Sequence, residues 1–185
     1  MINVTGLRKN AIFEMDGQLF RVLEYEHYKP GRGNAIIRTR LRNLRTGATL
    51  DRNFLSGERV QDVRLDHHTV QYLYHDGDLY NFMDTETYEQ PALTREALGD
   101  AVDYLKEGVT LELSFYQGEP IDIELPVTVD MVVTDSPLAI AGDTATGATK
   151  TVTTETGLKV SVPLFVNEGD TIRVDTRTGA YLTRA

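Results

Sequence analysis

The sequence predicts an all-β protein made of small barrels or sandwiches, and three observations carry that expectation. Apolar and β-branched runs are short and are bounded at close intervals by turn dipeptides such as Asp16-Gly17, Thr46-Gly47 and Ser56-Gly57. A single stretch, Thr94 to Lys106, reads as helical, broken near Gly99-Asp100 and stopped by Gly108. The composition is that of a globular chain, 41% hydrophobic and 25% charged over 185 residues, which argues against disorder and allows one large domain or two to three small ones.

The elements follow in order. Asp16-Gly17 separates strands over Ala11 to Met15 and Gln18 to Tyr25, as expected of a tight hairpin. A glycine-punctuated loop then leads into Ile36 to Leu44; Thr46-Gly47 turns that strand into Thr49 to Phe54, and Ser56-Gly57 turns into Val60 to Leu65. Five strands in this length suit a small SH3-like barrel. The pattern restarts after Asp66-His67-His68 with Val70 to Tyr74, a turn at His75-Asp76-Gly77-Asp78, and Leu79 to Met83. Tyr72, Tyr74, Tyr80 and Phe82 there supply cross-strand packing in preference to RNA stacking, given the acidic surroundings. Val109 to Tyr116 and Ile121 to Leu125 complete a second barrel, with Pro126 as a boundary. Strands over Val127 to Thr134, Lys159 to Pro163, Thr171 to Asp175 and Ala180 to Thr183 form the last segment, interrupted by a Gly/Thr/Ala-rich stretch from Ala139 to Thr149. The tetrapeptide Arg-Thr-Gly-Ala occurs at Arg45 to Ala48 and again at Arg177 to Ala180, which implies shared turn chemistry.

Charge singles out one region. Residues 1 to 63 carry 11 Lys and Arg against 7 Asp and Glu, residues 64 to 127 carry 3 against 14, and residues 128 to 185 carry 5 against 7, within a net charge of -9. From His27 to Arg45 there is no acid, while Lys29, Arg32, Arg38, Arg40, Arg42 and Arg45 are present. Strand periodicity puts Arg38, Arg40 and Arg42 on one face. The loop Lys29-Pro30-Gly31-Arg32-Gly33-Asn34 holds Arg32 at its tip between two glycines that free the backbone to turn. A guanidinium there can fork onto phosphate or stack on a base. Two readings stand side by side: a solvated strand face with an ordinary hairpin tip, or a finger that touches nucleic acid.

Other chemistry finds little footing. There is no cysteine, so no disulfide or thiolate site forms, and a reducing compartment is the simpler expectation. The N-terminus lacks the pattern of a signal peptide, and no run approaches the apolar length of a membrane span. Gly31-Arg32-Gly33 lacks the third glycine and following helix of a dinucleotide fingerprint. His27, His67, His68 and His75 have no metal-ligand spacing. Acids between residues 76 and 124 would supply a carboxylate pair for a hydrolase, but nothing marks two of them.

Taken together, the motifs are similar to one family. Lys29-Pro30-Gly31-Arg32-Gly33-Asn34-Ala35 with the basic strand, Tyr72-Leu73-Tyr74, Phe82-Met83-Asp84 with Glu86-Thr87-Tyr88-Glu89-Gln90, Gly142-Asp143-Thr144, Val162-Pro163-Leu164-Phe165-Val166 and Val174 to Gly179 resemble bacterial translation elongation factor P across the whole chain. The resemblance implies an SH3-like barrel over residues 1–64 and OB-type barrels over 65–126 and 127–185, arranged in an L with a tRNA-like outline. It implies a cytoplasmic, monomeric, non-enzymatic factor without cofactor or metal. Such a factor binds both ribosomal subunits between the peptidyl-tRNA and exit sites and relieves stalling at consecutive prolines.

By position, Lys29 to Asn34 would reach the acceptor end of the peptidyl-tRNA. Gly142, Asp143 and Thr144 would face the small subunit and exit-site codon, and Tyr181 and Arg184 the tRNA elbow. Many members carry lysine at the tip with a lysine-derived extension, and others carry arginine that receives rhamnose. Arg32 excludes the first; a rhamnosylated residue, with an arginine-modifying enzyme as a partner, and a bare one are both compatible with it. A general single-stranded RNA binder of OB type is the alternative reading.

Overall fold

A computed structural model of the chain describes residues 1–138 and 148–185. The all-β expectation is borne out: among the described residues the strands form three sheets. The first contains β1 (Ile2–Asn3), β2 (Ile12–Met15), β3 (Gln18–Tyr28), β4 (Ile36–Asn43), β5 (Thr49–Leu55) and β6 (Arg59–Asp62) in the order β1-β6-β2-β3-β4-β5. The second contains β7 (Asp66–Asp76), β8 (Leu79–Asp84), β9 (Ala92–Thr94), β10 (Thr110–Tyr116) and β11 (Glu119–Glu124) in the order β11-β10-β7-β8-β9. The third contains β12 (Thr128–Asp135), β13 (Thr149–Thr154), β14 (Lys159–Pro163), β15 (Thr171–Asp175) and β16 (Tyr181–Arg184) in the order β14-β13-β12-β15-β16. The helical stretch is one α-turn, α1 (Arg95–Leu98), continued by a 3-10 helix over Gly99–Tyr104. No helix among the described residues is long and apolar enough to cross a membrane.

The chain divides into two compact units. The first takes Met1–His68, Leu93–Gly99 and Leu113–Asp122. Its main core joins Val4, Leu7, Phe13, Phe20, Val22, Ile37, Leu41, Phe54 and Val60, and burying each such side chain contributes about 1.5–3 kcal/mol. In β4 that core decides where charge goes: Ile37, Thr39, Leu41 and Asn43 face inward, so period-two alternation turns Arg38, Arg40 and Arg42 the other way. Asp16 and Gly17 both adopt left-handed φ, 54° and 74°, the geometry of the tight β2–β3 hairpin that the dipeptide predicts.

The second unit takes Thr69–Ala92, Asp100–Glu112 and Ile123–Ala185. One of its cores is entirely β-branched: Val133, Val152, Val160, Val162, Val166, Ile172 and Val174, residues that fit a pleated sheet packed on one side. Tyr72, Tyr80 and Phe82 pack on one another, with ring centroids 6.1 and 5.6 Å apart, and are buried. Of the four aromatics only Tyr74 stands open, which removes the stacking platform an RNA strand would need.

One six-residue turn occurs in each sheet and leads to an edge strand. It begins at Asn43, Asp84 or Asp175, each buried. The backbone N–H of these residues donates to the carbonyl five positions on, Ala48, Glu89 or Ala180, at 2.8–2.9 Å. Their carbonyls accept from Gly47, Tyr88 or Gly179, also at 2.8–2.9 Å. Their side-chain oxygens accept from backbone N–H groups two residues on, at Arg45, Glu86 and Arg177. The threonine hydroxyls of Thr46, Thr87 and Thr178 accept from the N–H two residues later. The repeated Arg-Thr-Gly-Ala is thus shared turn chemistry, as its sequence implies, and the third copy is spelled Glu86-Thr87-Tyr88-Glu89. Asp175 also holds Arg177, whose guanidinium and backbone N–H keep its carboxyl below the usual carboxylate range.

Candidate nucleic-acid interface

The loop between β3 and β4 spans residues 29–35 and is closed at its base by the Tyr28–Ile36 pair. Ser56 N–H donates to the Ala35 carbonyl at 3.0 Å and ties the far side of the base to the turn after β5. Lys29, Gly31, Arg32, Gly33 and Asn34 are exposed and Pro30 is half-buried. The two glycines differ. Gly33 sits at φ +103°, a conformation that L side chains rarely adopt, whereas Gly31 has ordinary φ and open space around its missing Cβ. The turn freedom expected of both glycines is therefore used at Gly33 alone.

The basic strand behaves differently from the loop once register is known. The β3–β4 register sets Glu26 opposite Arg38 and Glu24 opposite Arg40, and the β4–β5 register sets Asp51 opposite Arg40. Arg38 pairs with Glu26 at 3.7 Å and lies over the Tyr28 ring at 4.7 Å; Arg40 meets Asp51 at 3.9 Å. Arg42 is structural: its Nη2 donates to the carbonyls of Ala97 at 3.1 Å and Glu96 at 3.4 Å, acceptors left over at the end of α1. The fit there is close. A Cβ on Gly47 would strike the Glu96 carbonyl, and one on Gly99 would strike the Arg42 guanidinium. Arg45 pairs with Glu119 at 3.1 Å.

Of the six cations between His27 and Arg45, only Lys29 and Arg32 make no ion pair, hydrogen bond or ring contact with any of the described residues. Exposed pairs such as Arg38–Glu26 contribute little to stability, about 0.2–1 kcal/mol, but they cancel the field a phosphate would feel. Within the stretch from His27 to Arg45 the uncompensated charge is thereby confined to the loop. A cleft of about 390 Å³ lined by Glu24, Glu26, Arg38, Arg40 and Asp51 has mixed sign for the same reason.

The remaining predicted site residues lie elsewhere. Tyr181 is half-buried against the β-branched core, and Arg184 is exposed, stacked over Phe165 at 5.3 Å and 3.8 Å from Asp170. Gly142, Asp143 and Thr144 lie outside the described residues. Among the described residues no three His, Asp or Glu side chains are grouped to hold a metal ion. Several acids of the middle segment have structural tasks: Asp122 pairs with Arg21, and Asp84 caps its turn.

Three family models cover the chain: the elongation factor P KOW-like domain at residues 3–60, the elongation factor P OB domain at 65–123, and the elongation factor P C-terminal domain at 129–184. Elongation factor P of Moorella thermoacetica is 48% identical over 185 residues, covering all of both chains. The proteins of the same name from Pelotomaculum thermopropionicum and Acetivibrio thermocellus are each 46% identical over 184 residues, again end to end. Among solved structures, eukaryotic translation initiation factor 5A from Methanococcus jannaschii aligns with a TM-score of 0.52 at 22% identity, over 67% of this chain and 91% of that one. At that identity the likeness shows fold alone.

Proposed function

The chain belongs to the elongation factor P family of translation elongation factors, and on that premise we propose that it binds the cytoplasmic ribosome beside the peptidyl-tRNA and promotes peptide-bond formation at consecutive prolines. Loop 29–35 reaches the tRNA acceptor end, where Arg32 and Lys29 engage phosphates and stack on the terminal bases. The observation that carries this reading is that, within the acid-free stretch from His27 to Arg45, unpaired positive charge is confined to those two residues, while Arg38, Arg40, Arg42 and Arg45 are occupied within the protein.

Proline has a fixed φ, and a prolyl-tRNA can rest in a geometry unsuited to attack. Holding its reactive end in place lowers the orientational part of the barrier without any acid, base or metal from the factor. The family's third-segment contacts then fall to Gly142, Asp143 and Thr144 at the exit-site codon and to Tyr181 and Arg184 at the tRNA elbow. Domain boundaries at 64/65 and 126/127 and a monomeric state belong to the same reading.

The test is synthesis of a reporter with a run of prolines in an extract lacking its own factor. Arg32→Ala is expected to give the yield seen with no factor at an unchanged melting temperature; wild-type yield from that variant would overturn the proposal. Arg32 is fully available to a modifying enzyme, and the intact mass of protein from its native host reads its state: one deoxyhexose above the sequence mass for a rhamnosylated side chain, the bare mass otherwise.

A further inference from the structure

The three equivalent turns make an internal control. Their backbone hydrogen bonds coincide, so whatever residues the turn itself requires should be the same in each. In two copies the left-handed position is glycine, Gly47 at φ +75° and Gly179 at φ +73°. In the third it is Tyr88, at φ +61°. A bulky residue is an outlier there, and the turn would be better served by the glycine its two counterparts use. The flanking choices change as well: Arg45 and Arg177 become Glu86, and Ala48 and Ala180 become Glu89.

Nothing within the described residues accounts for these replacements. Tyr88 is 70% exposed and makes no hydrogen bond through its hydroxyl and no ring contact, and Glu86 and Glu89 are exposed and unpaired by any side chain. The result is an exposed aromatic ring in a turn that also presents two unpaired carboxylates.

We infer that the Asp84–Glu89 turn is a docking knob for a cationic protein surface, Tyr88 taking an arginine or lysine side chain on its ring face between Glu86 and Glu89. Charge chooses this partner over RNA, since phosphates would meet the unpaired carboxylates of Glu86 and Glu89. Tyrosine and arginine are the residue types that anchor interfaces, and a guanidinium over a ring flanked by acids gains from both contacts. The inference rests on the ribosomal reading above, which makes the partner a basic ribosomal protein. It gives the factor a protein contact separate from the loop that meets tRNA.

Two measurements on the full chain test it. Titration of purified ribosomes is expected to show roughly tenfold weaker binding for Tyr88→Gly and for the double variant Glu86→Arg, Glu89→Arg, while Tyr88→Gly melts no lower than the parent because the strained residue is gone. A photoreactive benzoylphenylalanine at position 88 is expected to cross-link to a protein at a Lys- or Arg-bearing segment. Parental affinity in both variants, or a cross-link to RNA, overturns the docking site and leaves the loop reading standing, since that reading is judged by Arg32→Ala. If the parent itself does not bind ribosomes, the ribosomal reading falls and this inference falls with it.

Discussion

The loop at 29–35 and the strand that follows it carry the same kind of side chain and do different things with it. Arg38, Arg40 and Arg42 are spaced by the strand period and look like a basic stripe, yet cross-strand acids and the end of α1 occupy them. Lys29 and Arg32 lie where the ladder has ended, so no neighbouring strand can supply an acid opposite them. Positive charge in a sheet is readily neutralised by register; positive charge on a loop tip remains available. Counting cations along a sequence therefore overstates an interface, and the surplus left after pairing is what defines one.

The difference predicts opposite phenotypes for arginines ten residues apart. Arg42→Ala strands the Glu96 and Ala97 carbonyls and should cost about 1–3 kcal/mol in denaturant unfolding, whereas Arg32→Ala should leave the unfolding curve in place. Equal losses in the two would erase the distinction. The loop glycines should separate next: Gly33→Ala forces a side chain into positive φ and should cost about 1 kcal/mol or shift the loop and lower prolyl synthesis, while Gly31→Ala should match the parent in both assays.

A smaller effect concerns the repeated turn. The folded carboxyl of Asp175 titrates below the ordinary value of 3.8 because Arg177 holds it ionised. Its contribution is thus complete above about pH 4 and is lost as pH falls through the folded value. Asp175→Asn should be less stable than the parent at pH 7, with the gap narrowing as pH falls below 4 in urea titrations; a gap independent of pH would assign the turn's stability to its backbone bonds alone. Smallest of all, Glu26→Gln with Asp51→Asn should change stability by no more than about 1 kcal/mol. That pair should nevertheless raise affinity for a short single-stranded RNA at low salt, since it releases the masked arginines.

Much of the fold was legible because its signals are local. Lys159–Pro163 and Thr171–Asp175 are strands with the bounds their sequence predicts, and Gly99 breaks the helical stretch where expected. Strands without a strong apolar rhythm escaped: β9 is three residues long, and β13 buries Val152 and Thr154 among exposed or half-buried Thr and Lys, so its sequence carries no strand signal. Register was not legible at all. The acids that neutralise Arg38 and Arg40 lie on β3 and β5, and a bulge between Val22 and Glu24 shifts which of them face the arginines. The third turn stayed hidden because Tyr88 stands where the motif elsewhere shows glycine. The tip loop, in contrast, is one continuous heptapeptide whose exposure needs no partner strand to explain it.

The rate of peptide-bond formation on a prolyl-tRNA paired with an incoming proline, measured side by side for Arg32→Ala and for the double variant Arg38→Ala, Arg40→Ala, tests the contrast most directly. The unpaired loop cation predicts that the first falls to the rate without factor and that the second stays close to the parent. A double variant as slow as the reaction without factor, beside an Arg32→Ala variant as fast as the parent, would place the working charge on the strand and contradict the account.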